Sequence, residues 1–179
     1  MKYVPSLILA CCAVLFIGCP ATSIYPLFSD KDAVLNPSLV GGWMESNGSY
    51  IRFEANKDNS YKVIFLDKNG PSVVYKVTLG KISDRWYLDS YPNEEAEAHL
   101  IPAHMITQLW LAADTMRTAE LESDWLRDMI KDKKLTISHV EKGSDIILTA
   151  STEELQKLLL QYGDEKKAFP NVGEWHRVK

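Results

Sequence analysis

Cysteine is nearly absent from this chain. Three occur in 179 residues, at positions 11, 12 and 19, and none follows. A disulfide framework is therefore excluded beyond residue 19. Basic runs are missing too. Twenty Lys and Arg stand against 24 Asp and Glu, a formal net charge of −4, which argues against nucleic acid as a partner. No Gly-x-Ser-x-Gly elbow is present, so no activated serine is signalled. The acidic run Asn93, Glu94, Glu95 and Glu97 lacks the Asp/Gly spacing of a calcium loop. His99 and His104 are five apart, on opposite faces of an unbroken strand, while His139 and His176 are isolated. The carboxylates Asp84 and Asp89 show no pairing that sequence can establish. The expectation is a protein that is not an enzyme and has neither metal nor cofactor. Apolar runs long enough to span a bilayer, ~20 residues, are also lacking. The apolar, uncharged segment from Tyr3 to Gly18 has 16 residues.

That stretch has the anatomy of a secretory signal: Lys2, then an apolar segment, then a small residue. Cys11 and Cys12 lie inside it and would leave with it. Cys19 would then be the lone cysteine of the mature chain, a liability in an oxidising compartment unless it is modified. Leu15, Phe16, Ile17, Gly18 and Cys19 resemble the bacterial lipobox, although Phe16 replaces the usual leucine. The resemblance implies acylation of Cys19 and removal of residues 1–18. Membrane lipid would then be the partner through Cys19. Pro20 in the next position implies the outer membrane, facing the periplasm, in a Gram-negative source.

Residues 19–37 read as a lipidated tether and 38–179 as one domain. Ile24, Tyr25, Leu27 and Phe28 are too apolar for a solvated linker, so residues 24–37 are expected against the domain. From Ser38 to about Leu121 short strands alternate with turns. Asn47-Gly48 and Asn69-Gly70 are hairpin signals, as is Lys142-Gly143. Two amphipathic helices follow at about 124–131 and 152–162. Ser123 is the expected cap of the first. Ser151 and Glu154 form a capping box for the second, and Gly163 ends it. "GEWHRVK" reads as a final short strand. The class expected is mainly β (α+β): an antiparallel meander closed into a barrel, with two short helices in the C-terminal half.

Several strands are apolar on both faces. Along 100–111, Ile101, Met105, Leu109 and Leu111 share one face, and His104, Ile106, Gln108 and Trp110 the other. A strand facing water would show a polar second face. Either a helix covers the amphipathic face, or that face lines a cavity. On the second alternative the ligand-binding residues are His104, Ile106, Gln108 and Trp110, with Tyr61, Phe65 and Tyr75 from 60–66 and 72–79.

Gly41-Gly42-Trp43, at the start of the first strand, resembles the Gly-x-Trp signature of the lipocalins and related ligand-binding barrels. The resemblance implies that Trp43 closes one barrel end, with an Arg from a late strand packed over it, here Arg177. The lipobox with Leu39, Gly41, Trp43 and "HLIPAH" (His99–His104) is also similar to bacterial lipoproteins of unassigned activity. Two functions remain open on these grounds. One is a membrane-anchored envelope lipoprotein binding a small apolar or amphipathic ligand. The other is a non-catalytic interaction or structural lipoprotein with a filled barrel, engaging an envelope protein.

Overall fold

A computed structural model describes residues 19–68, 70, 72–93 and 102–178. Residues 1–18, read above as a secretory signal, Asn69 of the expected second hairpin, the acidic run from Glu94, and His99 lie outside the described residues. Eleven strands and two helices follow in order: β1 (Thr22–Ser23), β2 (Gly41–Glu45), β3 (Tyr50–Ala55), β4 (Ser60–Leu66), β5 (Ser72–Ile82), β6 (Arg85–Pro92), β7 (His104–Leu111), β8 (Thr115–Glu120), α1 (Ser123–Lys131), β9 (His139–Lys142), β10 (Asp145–Leu148), α2 (Thr152–Tyr162) and β11 (Gly173–Arg177).

The expected meander forms and closes. The strand order β6-β5-β4-β3-β2-β11-β8-β7 is completed by pairing of β6 with β7, giving an eight-stranded antiparallel barrel of lipocalin-like form. Closure removes the free edges that an open sheet would expose. Hairpin chemistry sets the register. Gly48 (φ +94°) and Gly143 (φ +64°) occupy conformations that suit glycine. β4 and β5 stay in register to Leu66–Ser72. Asn59 (φ 61°) and Ser83 (φ 57°) turn two further hairpins that carry no Asn-Gly signal.

Residues 19–37 are not a free tether. β1 pairs with β7 (Thr22–Met105, Ser23–His104) and, in parallel, with β10. β8 ends at Glu120, and β1 takes its place beside the start of β7. Ala21, Leu27 and Phe28 are buried. The segment is thus an integral layer of the domain.

Both helices form where the periodicity places them. α2 carries the expected capping box, with Glu154 N–H donating to Ser151 Oγ at 3.3 Å and Ser151 N–H to Glu154 Oε2 at 2.9 Å. The cap of α1 differs from expectation. Glu122 is the capping residue, its carboxylate accepting from Asp124 N–H at 3.4 Å, and Ser123 is the first helical residue with its hydroxyl buried and unpartnered. Chain entry accompanies the shift: Glu122 is pinned opposite Pro20 by a bridge, and the helix begins one residue earlier than a Ser123 cap would place it.

Two cores result. Inside the barrel lie Trp43, Phe53, Tyr61, Val77, Leu79 and Leu109, among others. Outside it, the wall of β6–β8 contributes Tyr87, Ile106, Ala119 and Leu121, which pack against Trp125 and Leu126 of α1 and Leu155, Leu158 and Leu159 of α2. Each large side chain so buried contributes about 1.5–3 kcal/mol, and the outer core is what makes β7 apolar on both faces.

Candidate ligand cavity

Alternation along each barrel strand sends one set of side chains inward. At one end the set is dense. Trp43 is fully buried, its indole N–H donating to Leu39 O at 2.9 Å. Arg177, from β11, lies over it with the guanidinium carbon 4.2 Å from the ring centroid. Phe53 and Tyr61 meet edge to face at 5.9 Å.

The other half is looser. A cavity of about 260 Å³ lies between Ile51, Phe65, Tyr75, Met105 and Trp175, with Ser90, Thr107 and Thr118 as its hydroxyls. Phe65 and Trp175 stand edge to face at 6.3 Å, and the Trp175 indole N–H is satisfied by Thr118 Oγ1 at 3.0 Å. Among the described residues that line it, none is a Lys, Arg or His. The one carboxylate is Glu120, exposed at the rim. Crowding by the wall, and then the charge of Glu122, push its carboxyl above the usual range. Burial, with Glu120 second, pushes the Tyr75 phenol up. Wider grooves of about 420 and 470 Å³ run over the outside of the barrel. They are more open to solvent than the interior cavity.

The sequence-based lining divides cleanly. Tyr61, Phe65 and Tyr75 point inward. Phe65 and Tyr75 line the cavity. Tyr61 is fully buried deeper in the barrel, its hydroxyl accepting from Asn36 N–H at 2.6 Å and donating to Asn36 O at 3.2 Å. His104, Ile106, Gln108 and Trp110 point outward, opposite to the cavity reading. The pairings Leu88–Thr107 and Trp86–Leu109 put the odd positions of β7 inside. Ile106 is buried in the outer core. Gln108 donates to Gly163 O at 3.0 Å. His104 Nδ1 is 2.7 Å from Asp89 Oδ1, and Asp89 Oδ2 accepts Leu27 N–H at 2.8 Å, so this pair fastens the N-terminal layer to the wall. The alternative in which helices cover the amphipathic face is the one the molecule adopts. Met105, Thr107, Thr118, Glu120 and Trp175 were not anticipated. Once Trp43 is placed inside, pairing with β11 and β8 fixes their parity, but no local signal does.

Cys19 is held beside this end of the barrel. Its carbonyl accepts Ser123 N–H at 3.1 Å, and Ala21 N–H donates to Leu121 O at 2.7 Å. Pro20, Thr118, Glu120 and Trp175 line a further groove of about 210 Å³, and the last three also line the cavity. Among the described residues no group of three or more His, Cys, Asp or Glu is placed to hold a metal.

No protein-family model, curated protein or solved structure matches this chain.

Proposed function

We propose that the protein is a bacterial envelope lipoprotein, acylated at Cys19, that holds a small apolar or amphipathic ligand in its lipocalin-like barrel. The observation that carries this reading is the apolar, cation-free cavity on the same side of the barrel as Cys19. Glu120 at the rim disfavours a carboxylate headgroup and suits a neutral or cationic one. The short connection from Cys19 to β1 sets the cavity end near the lipid surface, where such ligands partition. In a Gram-negative source the site is the outer membrane, facing the periplasm.

The test has two arms. Cys19→Ala releases the protein from membranes and abolishes fatty-acid labelling. Separately, the soluble domain is titrated with N-phenyl-1-naphthylamine, a neutral apolar fluorophore. Saturable binding at micromolar affinity or better, lost in Thr107→Trp, supports the cavity as the site. Absence of saturable binding favours the filled-barrel interaction protein instead. One observation speaks for that second reading: about 260 Å³ falls just under the ~300 Å³ at which ligand pockets usually begin.

A further inference from the structure

The outer wall of the barrel places a row of three side chains across adjacent strands. Trp110 on β7 is paired directly with Arg117 on β8. On its other side β6 runs antiparallel, and one step beyond the Trp86–Leu109 pair it brings Arg85 opposite Trp110. Trp110 thus stands between two arginine positions on one surface; the Arg117 guanidinium lies over its ring, and that of Arg85 is turned to Leu160 O and Asp164. The segment 163–172 lies across this row, and between them is a cleft of about 420 Å³. Lys166, Phe169 and Gln108 complete its walls.

The charges in the cleft are unevenly committed. Asp164 is held by Arg85, 2.7 Å from Nη1. Glu165 Oε1 accepts Lys167 N–H at 3.3 Å within its own turn. Arg117 is exposed, its guanidinium carbon 5.9 Å from the Trp110 ring centroid, and it joins no ion pair among the described residues. Lys166 adds a second cation at the cleft wall.

A separate observation concerns the floor. Arg85 Nε–H and Tyr87 O–H are buried donors with no acceptor, and Tyr87 is fully buried. Both lie against Gly163, where a Cβ would come 2.3 Å from Tyr87 Oη and 2.9 Å from Arg85 Cζ. Unmet buried donors cost about 1–3 kcal/mol each; Arg85 lines the cleft, where an incoming acceptor relieves its share, whereas Tyr87 is sealed behind Gly163 and lies outside the lining.

We propose that this cleft is a second binding site, distinct from the barrel cavity, for a small aromatic anion. Its ring packs on Trp110 and Phe169, and its acid group meets the fork of Arg117 with Lys166 beside it. A guanidinium presents parallel donors that match a carboxylate and stacks on aromatic faces. The inference stands whether or not the barrel cavity binds anything.

The test is titration of the ¹⁵N-labelled domain, residues 19–179, with 2-naphthoate, with 2-naphthylmethylammonium as the cationic control. The expected result is saturable shifts of the Trp110 indole and Arg117 Nε–H signals with naphthoate, weakened by salt, and absent with the cation. Arg117→Gln, a surface change, lowers the affinity at least about tenfold, and Arg117→Lys recovers part of it. Equal response to anion and cation overturns the proposal, as does undiminished binding in Arg117→Gln. So do shifts confined to cavity residues such as Phe65 and Met105, which would place the naphthalene in the barrel.

Discussion

The Arg177 guanidinium lies 4.2 Å from the centre of the Trp43 ring, and its two terminal nitrogens donate to Val40 O, at 3.1 Å, and to Ser38 O. One cation thus covers the indole and ties the entry to β2 to the last strand. Residues 134 positions apart in the chain close the barrel together. Trp43→Ala should cost about 3–5 kcal/mol, as expected for loss of a fully buried aromatic. Arg177→Gln should cost about 1–2 kcal/mol, since it loses the cation–π contact and charge-assisted bonds but no core volume. Urea denaturation of both variants measures this. Equal costs would mean that Trp43 is not the plug.

Neighbouring positions on β7 should behave oppositely. Ile106 is completely buried in the outer core. Ile106→Asp puts an unpaired carboxylate there and should unfold the domain or cost at least about 4 kcal/mol. Thr107→Trp fills the cavity instead and should leave a cooperative transition while blocking the naphthylamine probe. Circular dichroism melts with probe titrations separate the two outcomes.

Asp89 is almost fully buried and serves two partners, Leu27 N–H and His104. Asp89→Ala should cost about 2–4 kcal/mol, because both partners are left without an acceptor. Amide hydrogen exchange should show the loss first at Leu27 and in β1, before the barrel strands.

Burial pushes the Tyr87 phenol up to about 12, against the opposing charge of Arg85. Raising an acid's value in the fold favours its neutral form. That contribution is fully present below the ordinary value near 10 and is lost as pH climbs through about 12. It amounts to about 2–3 kcal/mol. Tyr87→Phe should flatten this part of the alkaline stability curve. At neutral pH it should be no less stable than the wild type, since its hydroxyl has no partner. Guanidinium denaturation at pH 8, 10 and 11.5 checks both statements.

Gly80 marks where the N-terminal layer presses on the barrel. A Cβ there would come 2.5 Å from the Phe28 ring. Gly80→Ala should displace Phe28 and cost about 1–3 kcal/mol through overpacking. Increased proteolysis confined to residues 24–34 would report the displacement.

Much of the architecture was legible because it rests on local chemistry. Asn47-Gly48 and Lys142-Gly143 turn hairpins at positions that suit glycine. Ser151 and Glu154 start α2, and the spacing Leu155, Leu158, Leu159, Tyr162 sets its buried stripe. The Trp43–Arg177 pair was legible through resemblance. Gly163 was expected to end α2, and it does, yet its backbone is ordinary right-handed helix (φ −63°). What excludes a side chain there is the nearness of Tyr87 and Arg85, from a strand 76 residues away in the chain.

The cavity was not legible in the same way. The sequence by itself determined that the strands 60–66, 72–79 and 104–111 have two apolar faces, that two amphipathic helices exist, and that no cysteine follows Cys19. It left open which face of β7 looks inward, because alternation has a period of two and carries no sign once both faces are dry. Only closure of the barrel decided that. The β6–β7 register turned Met105, Thr107 and Leu109 inside, and α1, α2 and β1 then buried Ile106 and its neighbours from the other side. The same packing built residues 19–37 into the sheet, since Thr22 and Ser23 find their hydrogen-bond partners only after β8 has ended and left the edge of β7 open.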